Sequence, residues 1–294
     1  MSQTSSATRR RRATSLVAIS TTLFAVMPAT LTTIAGSMNT LSLLCYRSLI
    51  TAILLLSFTA FRPSCNQNGR QLVHALLAGA FLFGPQVYLF YACAARVGTG
   101  LSVALFFIYP AMVMALRAFR LHRKPVFTDL ALAVVAIMGV GFITIGPGVR
   151  TPPYVAAGGI LCAAGLYAVY VMFAAEMANG ADRVMAASAV MFGTAVGLGV
   201  LGLSTRQLVM PSTSADWLTL VLHSTVLGVG MLCYYAGVSV TGAHYAAMID
   251  SAQPAIASMT GVVLLGEHLS TAQVIGIIFV ALCVLAGTRS QSVS

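Results

Sequence analysis

Long apolar stretches alternate with short polar connections along nearly the whole chain. About 20 apolar residues are needed to cross a bilayer core of roughly 30 Å as a helix. The connections are too short to hold a soluble domain. The pattern therefore predicts an all-α polytopic membrane protein with ten transmembrane helices, near 14–35, 41–60, 72–95, 98–117, 127–146, 155–175, 184–203, 217–239, 243–264 and 270–288.

The boundary between the eighth and ninth predicted helices depends on one short turn. The segment "SVTGAH" (239–244) is the only turn signal in 48 consecutive residues that otherwise read as membrane-spanning. Because 48 residues are too many for one crossing, we expect two helices there.

The composition excludes several classes of protein. Of the 294 residues, 59% are hydrophobic and 7% are charged, whereas soluble domains carry about 25% charged residues. The net charge of +10 lies mostly in clusters between apolar spans. No basic surface interleaved with aromatic residues is present, which argues against a nucleic-acid partner.

The positive residues also predict the orientation, because cytoplasmic loops are rich in Lys and Arg. With the N-terminus inside, three arginines fall outside (Arg96, Arg150 and Arg206) and Arg47 lies within a span. Twelve positive residues fall inside: Arg9, Arg10, Arg11, Arg12, Arg62, Arg70, Arg117, Arg120, Arg123, Lys124, Arg183 and Arg289. We expect a multi-pass protein of the plasma (inner) membrane with both termini in the cytoplasm.

The first apolar stretch follows a polar, basic segment. Residues 1–13 are predicted to be a disordered cytoplasmic tail. A cleaved signal peptide is the alternative, but the apolar stretch is longer than a usual signal core and no A-x-A site closes it. We therefore expect an uncleaved first helix.

The two halves of the chain resemble each other. A shift of 144 residues aligns Tyr91 with Tyr235, Gly98 with Gly242, and Pro110 with Pro254. The predicted repeats cover 14–147 and 154–289, with five helices each. An odd number of crossings places the second copy upside down, and inverted repeats with a substrate site near the midplane are typical of secondary transporters.

Several segments resemble the EamA-type members of the drug/metabolite transporter superfamily. These are "PAIASMTGVVLLGEHLSTAQVIGIIFVALCVLAGT" (254–288), "NTLSLLCYRSLITAILLL" (39–56) and "SVALFFIYPAMVMAL" (102–116). The first repeat has Leu121-His122-Arg123 where the second has Leu265-Gly266-Glu267. The resemblance implies a transporter of a small organic metabolite, an amino acid or related solute, acting in export.

Two charged residues inside the spans are candidate substrate or coupling groups. Asp250 lies about seven residues into the ninth helix, and a buried acid usually faces a bundle interior or a watery cavity. It is interpreted as a proton-coupling group, as the partner of a substrate ammonium, or as a structural group that pairs with Arg47 or donates a hydrogen bond. Arg47 either binds a substrate carboxylate or snorkels to the membrane surface. A vertical separation of roughly 11 Å suits the two ends of an amino acid zwitterion.

Prolines, aromatic residues, glycines and histidines complete the candidates. Pro110 and Pro254 are predicted to kink their helices, for gating or as static bends. The tyrosines Tyr91, Tyr109 and Tyr235 belong to a wider set interpreted as ordinary packing or as the lining of an aromatic cavity: Tyr88, Phe106, Phe107, Tyr167, Tyr170 and Tyr234. Gly193 and Gly197 predict a close helix contact within the chain, with a dimer contact as the alternative. The histidines His74, His223 and His244 are expected at the membrane interface rather than at a metal.

No Walker A sequence is present, so this chain is not expected to hydrolyse ATP. The sequence predicts a non-enzymatic carrier without cofactor or metal, whose partners are a small-molecule substrate and the lipid bilayer. Proton coupling is one expectation, and the chain is expected to be a monomer or a homodimer. The alternatives are a proton-coupled efflux carrier for drugs or cations, a membrane-embedded enzyme, and a passive channel or a lipid flippase.

Overall fold

A computed structural model describes the long helical parts of the chain. The described residues are 2–34, 38–60, 69–97, 102, 105–121, 131, 134–135, 137–139, 142, 154–180, 182–256, 259, 270–272, 274–279 and 282. Within these residues the chain is helical, with turns between helices and no strand. The predicted helix near 127–146 lies largely outside the described residues, and the one near 270–288 lies partly outside them.

Nine α-helices and one π-helical segment are continuous in the described part of the chain. They are α1 (Ser2–Ile34), α2 (Thr40–Ala60), α3 (Gly69–Ala78), the π segment (Gly79–Phe83), α4 (Gly84–Val97), α5 (Tyr109–Leu121), α6 (Tyr154–Gly180), α7 (Arg183–Ser204), α8 (Ser214–Thr241) and α9 (Ala243–Asp250).

Five helices are long and apolar enough to cross a membrane: Thr40–Thr59, Gly69–Ala94, Tyr154–Ala178, Arg183–Ser204 and Ser214–Thr241. The second of these combines α3, the π segment and α4. All five coincide with predicted spans. The protein is therefore a multi-pass helical membrane protein.

The N-terminal residues differ from the prediction of a disordered tail, because α1 is helical from Ser2. Arginine is a good helix former, so the basic residues extend the helix. Ala13 is buried, and its carbonyl oxygen lies where a side chain on Gly237 of α8 would be. This packing stabilises the first turns of α1 beyond the apolar stretch.

The predicted boundary within the 48-residue apolar run is confirmed. Helix α8 ends at Thr241, and α9 begins at Ala243. Gly242 between them has a φ of 81°, a conformation that residues with a Cβ rarely adopt. A single glycine therefore separates the two helices.

The starts of α7 and α8 follow from their capping residues. The side chain of Asp182 accepts a hydrogen bond of 2.8 Å from the backbone N–H of Val184. At α8, Thr213 and Asp216 form a reciprocal capping box. Such caps satisfy backbone donors that have no partner within the helix.

The chain forms two compact units, and each combines segments of both sequence halves. Unit 1 contains Met1–Tyr88 and Phe173–Gly242, and unit 2 contains Leu89–Met172 and Ala243–Ser294. The compact units therefore do not coincide with the predicted repeats at 14–147 and 154–289, although each unit takes part of each repeat.

Contacts within unit 1 give the relative directions of α1, α2 and α8. The imidazole Nε2 of His223 lies 3.2 Å from the carbonyl oxygen of Met27, and Gly237 of α8 packs near Ala13 of α1, so α1 and α8 are antiparallel. Thr51 of α2 donates a hydrogen bond of 3.1 Å to the carbonyl oxygen of Ser224. Helices α2 and α8 run parallel, because Gly228, four residues after Ser224, packs near both Thr51 and Leu55.

Helix α7 contacts both α2 and α3. The thiol of Cys45 donates to the carbonyl oxygen of Ala195 at 3.5 Å, and Asn39 donates to the carbonyl oxygen of Gln207. The segment just before α2 therefore lies near the segment just after α7, and Cys45, further along α2, lies near Ala195, in the middle of α7. The two helices run antiparallel. Gly193 packs against the backbone of Leu76, and Gly197 packs against that of Ala80, so α3 and α7 run parallel.

The predicted close contact of Gly193 and Gly197 within the chain is confirmed. A Cβ on Gly193 would overlap the carbonyl group of Leu76, and one on Gly79 would overlap that of Val190. The hydroxyl of Thr194 also donates to the carbonyl oxygen of Gly79 at 3.1 Å. Small residues let the two backbones approach this closely.

Unit 2 is built around α5, which packs against α9. Gly159 of α6 lies against the sulfur of Cys93 in α4. The rings of Phe142 and Phe279 lie 5.9 Å apart. These contacts join segments from both sequence halves.

Candidate functional site

Two helical stretches in unit 2 are interrupted at equivalent positions of the two sequence halves. Turns occur at Phe107–Ile108 and at Ser251–Ala252, 144 residues apart. In each case a buried proline, Pro110 or Pro254, follows two residues after the turn. Both interruptions therefore lie directly before the prolines that were predicted to kink these helices, and a role of the prolines in gating stays a prediction.

The local hydrogen bonds explain the second break. The N–H of Ala252 bonds the carbonyl oxygen of Ile249 at 3.0 Å, an i to i+3 pattern. The hydroxyl of Ser251 donates to the carbonyl oxygen of Met248 at 2.6 Å. Pro254 has no N–H and cannot donate the usual helical bond to the carbonyl of Asp250.

Asp250 is the last residue of α9 and has 0% of its surface exposed. The carboxyl end of a helix carries the negative end of the helix dipole. A carboxylate at that end adds to the negative potential, so the position favours a cation over an anion. The sequence shift aligns Asp250 with Phe106, and the turn follows immediately after each of them.

Seven aromatic residues of unit 2 form a continuous aromatic cluster. Phe106 is its centre, since its ring lies 5.0 Å from that of Phe90 and 5.4 Å from that of Tyr167. The rings of Tyr109 and Tyr167 meet edge to face at 4.7 Å. The full cluster is Phe90, Tyr91, Phe106, Phe107, Tyr109, Tyr167 and Tyr170.

The predicted tyrosines do not share one cluster. Tyr109 is 1% exposed, and Tyr91 is half-buried, with its ring 5.3 Å from that of Phe90. Tyr235 is fully buried but belongs to unit 1, where its ring lies 6.3 Å from that of Tyr234. The aromatic cluster therefore contains Tyr91 and Tyr109, but not Tyr235.

Unit 1 contains a separate set of buried polar side chains, which we call the polar seam. Its members are Ser20, Thr21, Arg47, Ser48, Thr51, His223 and Ser224. They come from α1, α2 and α8. The charge of Arg47 acts on the imidazole of His223, so these two groups are close within the seam.

Arg47 is 3% exposed. The snorkelling interpretation requires the guanidinium to extend to the surface, so it does not fit this position. Arg47 and Asp250 fall in different units, and the predicted spacing between them stays a prediction.

The three predicted histidines differ in exposure. His74 is exposed, as expected for an interfacial residue. His223 and His244 are buried, at 4% and 6% exposure, and their position at the membrane interface stays a prediction. Position near a helix end did not reveal that neighbouring helices cover both side chains.

Some residues of these sites were missed from the sequence. Ser48 and Thr51 lie close to Arg47 at helical spacing, which places polar groups on one face of α2. That spacing could have indicated the polar seam. Phe90 and Ser251 carried no comparable signal, since aromatic and serine residues are common throughout the chain. Among the described residues, no group of three or more metal-ligating side chains is present.

The fold and the repeated helix breaks define a class of protein: a helical membrane protein of two related halves, as found among transporters. The family model described as "EamA-like transporter family" matches residues 11–145 and 155–286. The chain belongs to the EamA-like transporter family and is a membrane transporter by family. The resemblance noted in the sequence is thereby confirmed.

Solved structures share this fold. One, described only as "Crystal structure of protein", has a TM-score of 0.80 with 15% sequence identity. The similarity covers 95% of this chain and 99% of that chain. No curated protein matches the chain.

Proposed function

We propose that this protein is a secondary transporter that moves a small organic metabolite across the plasma (inner) membrane by alternating access. The repeated helix breaks before Pro110 and Pro254 carry the proposal. Discontinuous membrane helices place polar backbone groups at membrane depth, where they line binding sites in transporters. A buried carboxylate, Asp250, stands directly beside one of these breaks.

The proposed architecture is ten transmembrane helices in two inverted repeats, with both termini in the cytoplasm. Helix directions in unit 1 support this. Helices α2 and α7 occupy equivalent positions of the two sequence halves, about 144 residues apart, and their contacts make them antiparallel. The helical stretch formed by α3, the π segment and α4 occupies the position in the first half that α8 occupies in the second half. Because α3 is parallel to α7 and α2 is parallel to α8, this second pair is also antiparallel.

Labelling of engineered thiols tests the orientation. Arg96→Cys and Arg120→Cys are introduced separately into a cysteine-free background, since both positions are exposed. The arrangement requires them to react from opposite sides of the membrane with a reagent that cannot cross it. Reaction from the same side would contradict the inverted repeats.

The proposed substrate class is an amino acid or related solute carrying an ammonium group, moved outward. Asp250 supplies the counter-charge for the cation, and the dipole of α9 adds to it. Aromatic rings attract cations through their faces. The aromatic cluster lies in the same unit as Asp250 and contains partly exposed rings, Tyr91 among them.

The same acid and aromatic residues favour a second candidate, a proton-coupled efflux carrier for drugs or other organic cations. A thermal-shift screen of purified protein against amino acids, nucleobases and cationic drugs separates the two. Stabilisation by amino acids favours the first candidate. Stabilisation by cations that lack a carboxylate favours the second.

Transport by reconstituted protein tests alternating access. Proteoliposomes are loaded with the stabilising compound, and uptake of its labelled form is measured. A carrier is expected to saturate and to be accelerated by substrate on the opposite side. Linear uptake without acceleration would indicate a passive channel and would contradict the proposal.

Asp250→Asn distinguishes the two proposed roles of the acid. If the carboxylate pairs with a substrate ammonium, the variant weakens substrate binding at every pH. If it couples protons, exchange persists while stimulation by a pH gradient is lost. Glu176→Gln, which removes an exposed acid, is the control. A variant with unchanged affinity and unchanged pH dependence would remove Asp250 from both roles.

Within unit 1, Arg47 is proposed as a group that binds a carboxylate through paired hydrogen bonds. Its burial within unit 1, where its charge acts on His223, supports this proposal. Arg47→Lys keeps the charge but loses the planar fork, so it is expected to weaken amino acid binding without unfolding the protein. An unchanged affinity for amino acids would assign Arg47 to structure alone.

The prolines are proposed to allow the bend used in gating. Pro254→Ala and Pro110→Ala restore the N–H and favour continuous helices. We expect slower exchange with little change in substrate affinity, because the substitution alters the transition between states. Full exchange rates in both variants would indicate static breaks.

A further inference from the structure

An open groove in unit 1 carries three arginines and no described acid on its lining. It has a volume of about 590 Å³. Arg9 and Arg12 enter it from α1, and Arg183 enters it from the start of α7. All three side chains are exposed.

The spacing along α1 explains how the groove is formed. Counted from Arg9, the next lining residues of α1 are three, four and seven positions later: Arg12, Ala13 and Leu16. Residues at these spacings lie on one face of a helix. Arg10 and Arg11 do not line the groove. One face of the basic segment therefore points into the groove.

Much of the remaining lining of the groove is apolar, and we call this part its floor. Ala13, Leu16, Ala236 and Val240 form it. Val240 lies near the end of α8, which is antiparallel to α1. The groove thus combines a strongly cationic rim with a hydrocarbon surface at one end of the helices.

We propose that this groove binds a phosphate-bearing anion, supplied by the headgroup of an anionic phospholipid. Arginine binds phosphate oxygens through paired hydrogen bonds, and basic pockets between membrane helices bind anionic headgroups. The apolar floor packs against the glycerol and the first carbons of the acyl chains, which a free phosphate does not possess. This site does not depend on the proposed transport function.

The test compares two pairs of substitutions within the same four arginines. The double variant Arg9→Gln and Arg12→Gln, called the groove pair, removes two charges that line the groove. The double variant Arg10→Gln and Arg11→Gln, called the control pair, removes two charges that do not line the groove. Retention of phosphatidylglycerol by the full-length protein is measured by native mass spectrometry, with phosphatidylcholine as the neutral reference. Each groove arginine contributes about fivefold (about 1 kcal/mol), so the groove pair is expected to lose about 25-fold in affinity.

Arg183→Gln provides an independent test, because it lies far from the N-terminus in sequence. It is expected to weaken phosphatidylglycerol binding about fivefold. Equal losses in the groove and control pairs would show general charge attraction and overturn the site. Unchanged phosphatidylglycerol binding in both the groove pair and Arg183→Gln would also overturn the site.

A final arm identifies the source of the phosphate. Inorganic phosphate is added to protein in phosphatidylcholine, and thermal stability is followed in wild type and in the groove pair. The lipid assignment predicts no stabilisation by inorganic phosphate and clear stabilisation by phosphatidylglycerol in wild type only. Stabilisation by inorganic phosphate without a preference for phosphatidylglycerol would overturn the lipid assignment.

Discussion

Gly193→Ala is expected to weaken the contact between α7 and the α3–π segment. The added methyl group would lie 2.8 Å from the carbonyl carbon of Leu76 and 3.0 Å from its Cα, and closer still to its oxygen. These are backbone atoms, so no change of side-chain rotamer relieves the overlap. The two helices must separate.

The magnitude follows from three contributions. Overpacking costs about 1–3 kcal/mol. Separation also strains the hydrogen bond from Thr194 to the carbonyl of Gly79, and a bond of this type contributes about 0.5–1.5 kcal/mol. Replacing glycine by alanine within a helix returns about 1 kcal/mol. The balance is a destabilisation of about 2 kcal/mol.

Gly199→Ala is the matched control on the same helix. Its methyl group would meet the sulfur of Cys45 at 3.6 Å, an ordinary van der Waals distance. It is expected to be neutral or to stabilise the protein by up to about 1 kcal/mol through helix propensity.

The fluorescence of Trp217 is a suitable measurement of unfolding in unit 1. It is the single tryptophan of the chain, and its ring lies 6.3 Å from that of Tyr46 on α2. Unfolding in a detergent titration compares the variants under equal conditions. If Gly193→Ala were as stable as Gly199→Ala, the close packing of α7 on the α3–π segment would be refuted.

Two further substitutions test single contacts by the same unfolding assay. Thr51→Val removes the bond to the carbonyl of Ser224 and is expected to cost about 1 kcal/mol. Thr225→Val removes only a bond within its own helix and should change stability less; equal losses would argue against the contact between helices. Gly242→Ala forces a side chain into a conformation close to glycine-only and is expected to cost about 1–3 kcal/mol. Gly158→Ala meets open space and serves as its control, and an equal effect of the two would count against the glycine break.

The bounds of the long helices could be predicted closely from the sequence. The predicted span 41–60 became Thr40–Ala60, and 184–203 became Arg183–Ser204. Bilayer thickness fixes the length of an apolar helix, and polar residues mark its ends. The segment 239–244 indicated the turn that contains Gly242, and the repeat shift aligned Pro110 with Pro254.

The candidate sites were only partly predictable. The sequence indicated Asp250 because an acid is conspicuous in an apolar run. It could not show that the helix ends at that residue, since a proline is compatible with a kink, a break or a helix start. It also could not tell which aromatic residues meet, because packing depends on the directions in which neighbouring helices present their side chains.

The sequence by itself determined that the chain spans a membrane, where its helices lie, and that its halves are related. These properties depend on local hydrophobicity and on covalent limits at glycine and proline, which each segment carries alone. Only the tertiary structure decided that the compact units mix both halves, that Arg47 is buried in a polar seam, and that Arg9 and Arg12 converge on a groove with Arg183. Those properties depend on contacts between segments far apart in the chain, and no local pattern encodes them.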